Sequence, residues 1–291
     1  MTSIKIIKNK INSAKNTKKI TKTMEMVAIS KTKKAKIKML ASRPYIENIQ
    51  KIIQHLLSAN LEYQHIYFQK KTIKTIGFII ISTDRGLCGN LNNNLYKKVL
   101  LHIQKYLNQN INIKLIILGD KGIQFFKNLN YDIVNHLNDI ENQLNSIRLI
   151  QYIRVVLEEY INGKIDKLYI AYNQYNNTLS HTPCCNLFLP IIFTNENYVH
   201  KTIKWDYIYE PNPKILLDTL LNRFLESKIY QSVLENLASE QAARMIAMKT
   251  ASDNSNNIIK QLQLIYNKAR QAAITQELNE IVAGSHAITC N

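Results

Sequence analysis

Glycine and proline are almost confined to the middle of this 291-residue chain. Residues 1–76 hold only Pro44, residues 214–283 hold neither type, and every glycine except Gly284 lies between Gly77 and Gly163. Both residue types interrupt helices, so their near absence over about 70 residues at each end predicts two very long helices. At 1.5 Å per residue the stretch from Lys214 to Ala283 would reach about 105 Å, some three times the width of an ordinary domain. A helix of that length cannot bury itself and needs a partner, most simply the other long helix.

The apolar spacing supports such pairing. Ile4, Ile7, Ile11 and Ala14 follow 3-4-3 steps, and the stripe thins to Thr21, Met24, Ala28 and Ala35 among lysines. This is one narrow seam on a helix. Pro44 would kink the first helix, and Tyr45–Tyr63 resumes the period with Ile49, Ile52, Ile53, Leu56 and Leu57. The second helix begins after Pro211 and Pro213, is strongly apolar from Leu217 to Leu237, and then repeats Ile258, Leu262, Ile265, Ala269 and Ala272. Its stretch Asp253–Asn257 is poor in helix formers and marks a softer point, and the tail after Gly284 is expected to fray.

Between these arms the period changes. Thr75–Ser82 (TIGFIIIS), Asn112–Gly119 (NIKLIILG) and Leu168–Tyr172 (LYIAY) are β-branched, apolar runs that suit buried strands. Helical patterns separate them at about Asn90–Leu107 and Ser146–Ile161, and Pro183–Ile192 adds an edge segment. Alternation of this kind implies a mainly parallel sheet. The expected fold is therefore an antiparallel coiled coil of N- and C-terminal helices with an inserted small Rossmann-like α/β domain. The parts are residues 1–63 for the first helix, 72–200 for the α/β body and 211–284 for the second helix.

The net charge of +17 is unevenly placed: Met1–Arg43 carries thirteen Lys/Arg against the single acid Glu25, whereas Lys214–Ala283 is nearly balanced. A basic arm implies an acidic partner, whether nucleic acid, anionic lipid or acidic loops of another protein. Its first 43 residues contain no aromatic side chain to stack bases, which argues against single-stranded nucleic acid. The longest apolar run, Ile76–Ile81, is too short to cross a bilayer. No secretory signal is expected, and the four cysteines show no metal spacing, which suits a reduced, cytoplasmic setting. Ser82–Gly89 (STDRGLCG) follows a strand and precedes a helix, but its GxxG lacks both dinucleotide and phosphate-loop patterns, as does Gly119–Gly122. Cys88 has no suitably spaced histidine, and adjacent Glu158 and Glu159 point about 100° apart on a helix, so no catalytic, metal or cofactor-binding set is expected.

The end segments carry a resemblance. IKNKINSAKNTKKITKTMEMVAISK (Ile7–Lys31), ASRPY (Ala41–Tyr45), STDRGLCG (Ser82–Gly89), ENLASEQAARMIAMKTASDN (Glu235–Asn254) and YNKARQAAITQELNEIVAG (Tyr266–Gly284) closely resemble the gamma subunit of F-type, proton-translocating ATP synthases of bacterial type. Similarity runs through essentially the whole chain and is densest at its ends. No counterpart of the regulatory cysteine segment of chloroplast members is found, and Cys184-Cys185 does not resemble it.

The resemblance implies a central rotor shaft whose paired helices run inside a hexamer of alpha and beta subunits, while its globular part sits with the epsilon subunit on the c-subunit ring. Proton flow would thereby be coupled to conformational change in a catalytic hexamer that makes ATP, with no cofactor and no bond-making in this chain. The location implied is peripheral, on the cytoplasmic face of the inner membrane. By motif match, Met24, Arg244, Arg270, Gln271 and Thr275 would touch the catalytic subunits, and Tyr207, Tyr209 and Glu210 would belong to the foot. On spacing alone, Met24 is an ordinary seam residue and Arg270 and Gln271 flank the seam. The alternative reading is a basic coiled-coil protein that binds nucleic acid; the rotor reading expects no specific nucleic-acid site.

Overall fold

A computed structural model of the chain describes residues 2–58, 65–69, 71–129, 131–137, 147–192, 210 and 212–289. Two compact units divide it: Met1–Ile29 with Arg244–Asn291, and Ser30–Ala243. Two helices contribute to both, α1 (Thr2–Ser58) and the C-terminal helix, which runs from Pro213 to Thr289.

The larger unit is built on β1 (Thr75–Ile81), α2 (Leu91–Leu107), β2 (Asn112–Leu118), α3 (Asp120–Lys127), β3 (Ile133–Leu137), α4 (Ile147–Ile161), β4 (Lys167–Tyr175) and β5 (His181–Leu189). The C-terminal helix is α5. The strand order is β3-β2-β1-β4-β5; only β4 and β5 pair antiparallel. Alternation sends Ile76, Phe78 and Ile80 to one face, where Leu95, Val99 and Ile103 of α2 and Phe126 of α3 cover them. Ile79 and Ile81 face the other way, into a core with α4, the later part of α1 and the first part of α5. Burial on both faces explains why β1 reads as an unbroken apolar run. The crossover through α4 returns the chain to the opposite side of β1, which places α4 on the face away from α2 and α3, as right-handed connections require.

The edge segment expected at Pro183–Ile192 is strand β5, which begins at His181, whereas the short strand β3 on the other edge was not anticipated and α3 starts within Gly119–Gly122, where a turn was expected. β3 is only half-buried, and its apolar Ile133, Val134 and Leu137 are interrupted by Asn135 and His136, which leaves no continuous run. The helix α5 does not fray after Gly284 but continues to Thr289, and it passes without a break through Asp253–Asn257. There Ser255 returns its hydroxyl to Ala251 O at 2.8 Å, so a residue that favours turns is satisfied within the helix. α1 continues through Pro44, as expected. Proline inside a helix costs about 3 kcal/mol, and burial of Ile46, Ile49, Ile53 and Leu56 beyond it offsets that cost. At its start, α5 has Pro213 as first helical residue, with the Lys214 N–H donating to Asn212 Oδ1 at 3.0 Å.

In the smaller unit the two helices lie antiparallel. Between Ile4 and Ile29 the only positions not exposed are Ile4, Ile7, Ile11, Ala14, Lys18, Thr21, Glu25 and Ala28, a strict 3-4 alternation. On α5 the matching seam is Met248, Ser252, Ser255, Ile259, Leu262, Tyr266, Ala269 and Ala273. Lys18 Nζ donates to Asn256 Oδ1 at 2.9 Å, and Thr21 bonds its own helix backbone at 3.1 Å. The expected seam was one residue out of phase at several points. Glu25, held by Lys22 at 3.1 Å, is buried where Met24 was expected. Ile259, Tyr266 and Ala273 take the places expected for Ile258, Ile265 and Ala272. Seven residues separate Thr21 from Ala28 and Leu262 from Ala269, and either a 3-4 or a 4-3 division fits; apolarity selected the wrong one.

Candidate functional site

Parallel sheets of this kind take ligands at the carboxyl ends of strands whose connections leave in opposite directions. Here that crevice lies between β1, which leads to β2, and β4, which leads to β5. It is filled by the chain's own helix α5. Asn236 Oδ1 accepts from Asn173 N at 3.2 Å and from Asn173 Nδ2 at 2.9 Å, and Asn236 Nδ2 donates to Ser82 O at 3.2 Å. One turn on, Ser239 Oγ donates to Asn173 O at 3.0 Å. All four residues are buried.

The neighbouring turn is closed in the same way. Ser82 Oγ lies 2.9 Å from Leu118 O and 3.1 Å from Gly119 O, and accepts from the Gly122 N–H at 3.0 Å. The Lys121 N–H donates to Thr83 O at 3.0 Å, and that of Asp120 to Asp84 Oδ1 at 3.4 Å. The amides that open α3 are thus engaged by the protein rather than free for an anion. The glycines serve this closure: a Cβ on Gly119 would lie 2.7 Å from Ser82 Oγ, and one on Gly122 would lie 2.6 Å from it.

Elsewhere among the described residues, the cysteines and His65 are packed or hydrogen-bonded within the protein. Cys88 is buried with Leu91 against Ala243 of α5. Burial pushes the Cys185 thiol up to about 12, and Cys184 donates to Gln174 Oε1 at 3.3 Å. His65 accepts from the Tyr67 N–H at 3.2 Å through Nδ1, with Nε2 3.6 Å from Asp218. Burial lowers its pKa below the usual 6.5, against a smaller upward pull from Asp218. Among the described residues no three His, Cys, Asp or Glu side chains gather as metal ligands, and no helix is long and apolar enough to cross a membrane.

The surface left open is that of the helix pair in the smaller unit. Met24 is 39% exposed, Arg244 half-buried, and Arg270, Gln271 and Thr275 are exposed, with Thr275 Oγ1 bonded to Gln271 O at 3.0 Å. They form two groups rather than one site: from Arg244 to Arg270 α5 rises about 39 Å. Of the foot residues, Glu210 is an exposed bend, while Tyr207 and Tyr209 lie outside the described residues. Two features escaped the sequence reading. Ile274, Leu278, Ile281 and Val282 form an exposed apolar strip near the end of α5, legible as i, i+4, i+7, i+8 spacing. Asn236 had no signal of its own, since one asparagine within a helix looks like any other.

The family model described as ATP synthase matches residues 3–288. The "ATP synthase gamma chain" of Buchnera aphidicola subsp. Schizaphis graminum is 53% identical over 289 residues, spanning 99% of each chain. That of Buchnera aphidicola subsp. Baizongia pistaciae is 50% identical over 293 residues, spanning 100% of each. Among solved structures, a chain of the Euglena gracilis mitochondrial ATP synthase rotor aligns with a TM-score of 0.63 at 21% identity, covering 94% of this chain and 99% of that one. A chain of the OSCP/F1/c-ring assembly of the same enzyme aligns with a TM-score of 0.65 at 22% identity, covering 98% of this chain and 94% of its own length. Identity of this level along the entire length makes the chain a member of the ATP synthase gamma-chain family, of the bacterial F type.

Proposed function

We infer that this chain is the central rotor shaft of a proton-translocating ATP synthase, turning within the catalytic hexamer and making no bonds itself. The observation that carries the reading is full-length identity to gamma chains, joined to a fold whose usual ligand crevice is occupied by its own helix. Alpha and beta subunits are the partners of the helix pair; the epsilon subunit and the c-subunit ring are those of the α/β body. The working location is peripheral, on the cytoplasmic face of the bacterial inner membrane. The working parts are residues 1–63, 72–200 and 211–284.

The physics of turning favours such a surface. A shaft must be attracted to its housing without being locked, and exposed ion pairs of roughly 0–1 kcal/mol each suit contacts that break and re-form at every step. The lysines of α1 provide these toward acidic loops, with Met24 and Arg244 in one contact zone and Arg270, Gln271 and Thr275 in another. The shaft acts by presenting different faces, so each catalytic subunit shifts its conformational equilibrium by the difference in contact energy. Glu210, Tyr207 and Tyr209 belong to the foot on the ring.

The test is purification of the tagged chain from membranes. One copy per complex of hexamer and ring is expected. Recovery with nucleic acid, at an affinity falling steeply with salt and without the hexamer, would replace this reading with the nucleic-acid one.

A further inference from the structure

We propose that Asn236, with Asn173 and Ser82, forms a polar key that indexes the angle and height of α5 in the sheet-bearing unit, so that torque passes into the helix without slip. The proposal rests on the rotor reading given above. Thirteen consecutive residues of α5, Gln231–Ala243, are all buried, so this stretch is enclosed on every side within one unit. Much of that enclosure is apolar, through Val233, Leu234, Leu237, Ala238 and Ala242. Apolar packing is not directional, and a helix held by it alone resists rotation in its socket only through shape.

Asn236 adds direction. Its amide reaches two strands at once, the end of β1 through Ser82 O and β4 through the main-chain and side-chain nitrogens of Asn173. Ser239 fixes the same strand from the next turn. The linkage continues from Ser82 Oγ to the end of β2 and to Gly122 in α3, so the key engages the sheet body rather than a single loop. Moving α5 by one residue swings a side chain about 100°. That breaks every bond of Asn236 at once and leaves buried amide and carbonyl groups unpaired. Asn236 and Asn173 are therefore positioning residues. They occupy the crevice in which related architectures hold a ligand, and the shaft helix takes the ligand's place.

The experiment uses assembled ATP synthase in membrane vesicles carrying the unaltered chain, Asn236→Leu or Asn173→Ala. ATP hydrolysis is measured with an uncoupler, and protons pumped per ATP are measured as the gradient builds. For Asn236→Leu, hydrolysis without load is expected to stay near the unaltered rate. Slippage under load should rise on the order of a hundredfold with the loss of three hydrogen bonds, seen as fewer protons per ATP at high gradient. Asn173→Ala keeps its main-chain bond and should fall between the two. Hydrogen exchange at the Asn173 amide should quicken by roughly tenfold or more in Asn236→Leu. Full coupling at high gradient, or an Asn173 amide as protected as before, overturns the key. If Asn236→Leu does not assemble, undiminished coupling in Asn173→Ala overturns it. Failure of the unaltered chain to enter a proton-pumping complex would instead sink the rotor reading.

Discussion

Ile258 and Ile259 are adjacent, chemically identical and 100° apart on α5, and the structure assigns them opposite roles. Ile259 is 7% exposed in the seam, whereas Ile258 is 49% exposed outside it. Ile259→Ala removes three buried carbons worth about 0.8 kcal/mol each, or about 2.4 kcal/mol. Alanine's better helix propensity returns about 0.4 kcal/mol, leaving a loss of about 2 kcal/mol in the helix pair. For Ile258→Ala the burial term is small and the same propensity gain applies, so the net change stays within about 0.5 kcal/mol. The assay is native-state hydrogen exchange of the seam amides of α1, which reports on the helix pair itself where a single melting temperature would not. A 2 kcal/mol loss accelerates exchange about thirtyfold for Ile259→Ala, with Ile258→Ala near the starting rate. Equal effects, or a larger effect at Ile258, would refute the seam described here and restore the phase expected from apolarity alone.

Gly119→Ala should destabilise the larger unit by about 3 kcal/mol, combining a left-handed backbone with overpacking, because φ is +100° and the new Cβ would lie 2.8 Å from Ser82 O; a shift in urea midpoint equivalent to under about 1 kcal/mol would contradict this. His65 is held neutral by burial, so its folded pKa lies below 6.5 and the unfolded chain binds more protons beneath that pH. Stability should therefore decline as pH falls from 6.5 toward the lowered value. His65→Gln should make the pH slope of the urea midpoint shallower without abolishing it, since burial also lowers His102 and His181; an identical slope would count against this. Met24→Lys should add a cation to an exposed, already basic face and tighten contact with acidic loops, lowering protons pumped per ATP in vesicles; unaltered coupling would argue against Met24 lying at that contact.

The long helices were legible because their signal is an absence of breakers sustained over many residues, which no single tertiary contact can disguise. Strands β1, β2 and β4 were legible because a strand buried on both faces must be apolar throughout. β3 was not, since an edge strand needs no apolar run, and its pairing with β2 comes from backbone groups common to every residue. The seam was half legible. Ile4, Ile7, Ile11 and Ala14 declared its phase, but toward Ala28 it admits Lys18, Thr21 and Glu25, whose polar ends find partners on their own helix or at Asn256. Apolarity then pointed to Met24, and only the geometry of the pair singles out Glu25. At Ser82–Gly89 the sequence offers only a motif that does not match, and says nothing of how the turn is built. That the Ser82 hydroxyl bonds Gly122 and its carbonyl bonds Asn236 of α5 is visible only in three dimensions.

The unbroken 3-4 alternation from Ile4 to Ala28, answered from Met248 to Ala273, has a mechanical corollary. A straight α-helix drifts about 20° from such a repeat every seven residues, so two helices that keep their stripes in register must coil around each other with a left-handed lay. A cord with a lay is not equally stiff in both directions: twisting it one way tightens the strands, and twisting it the other way opens them. The paired ends of this chain therefore have a preferred sense of torsion written into their spacing, independent of any chemistry at either end.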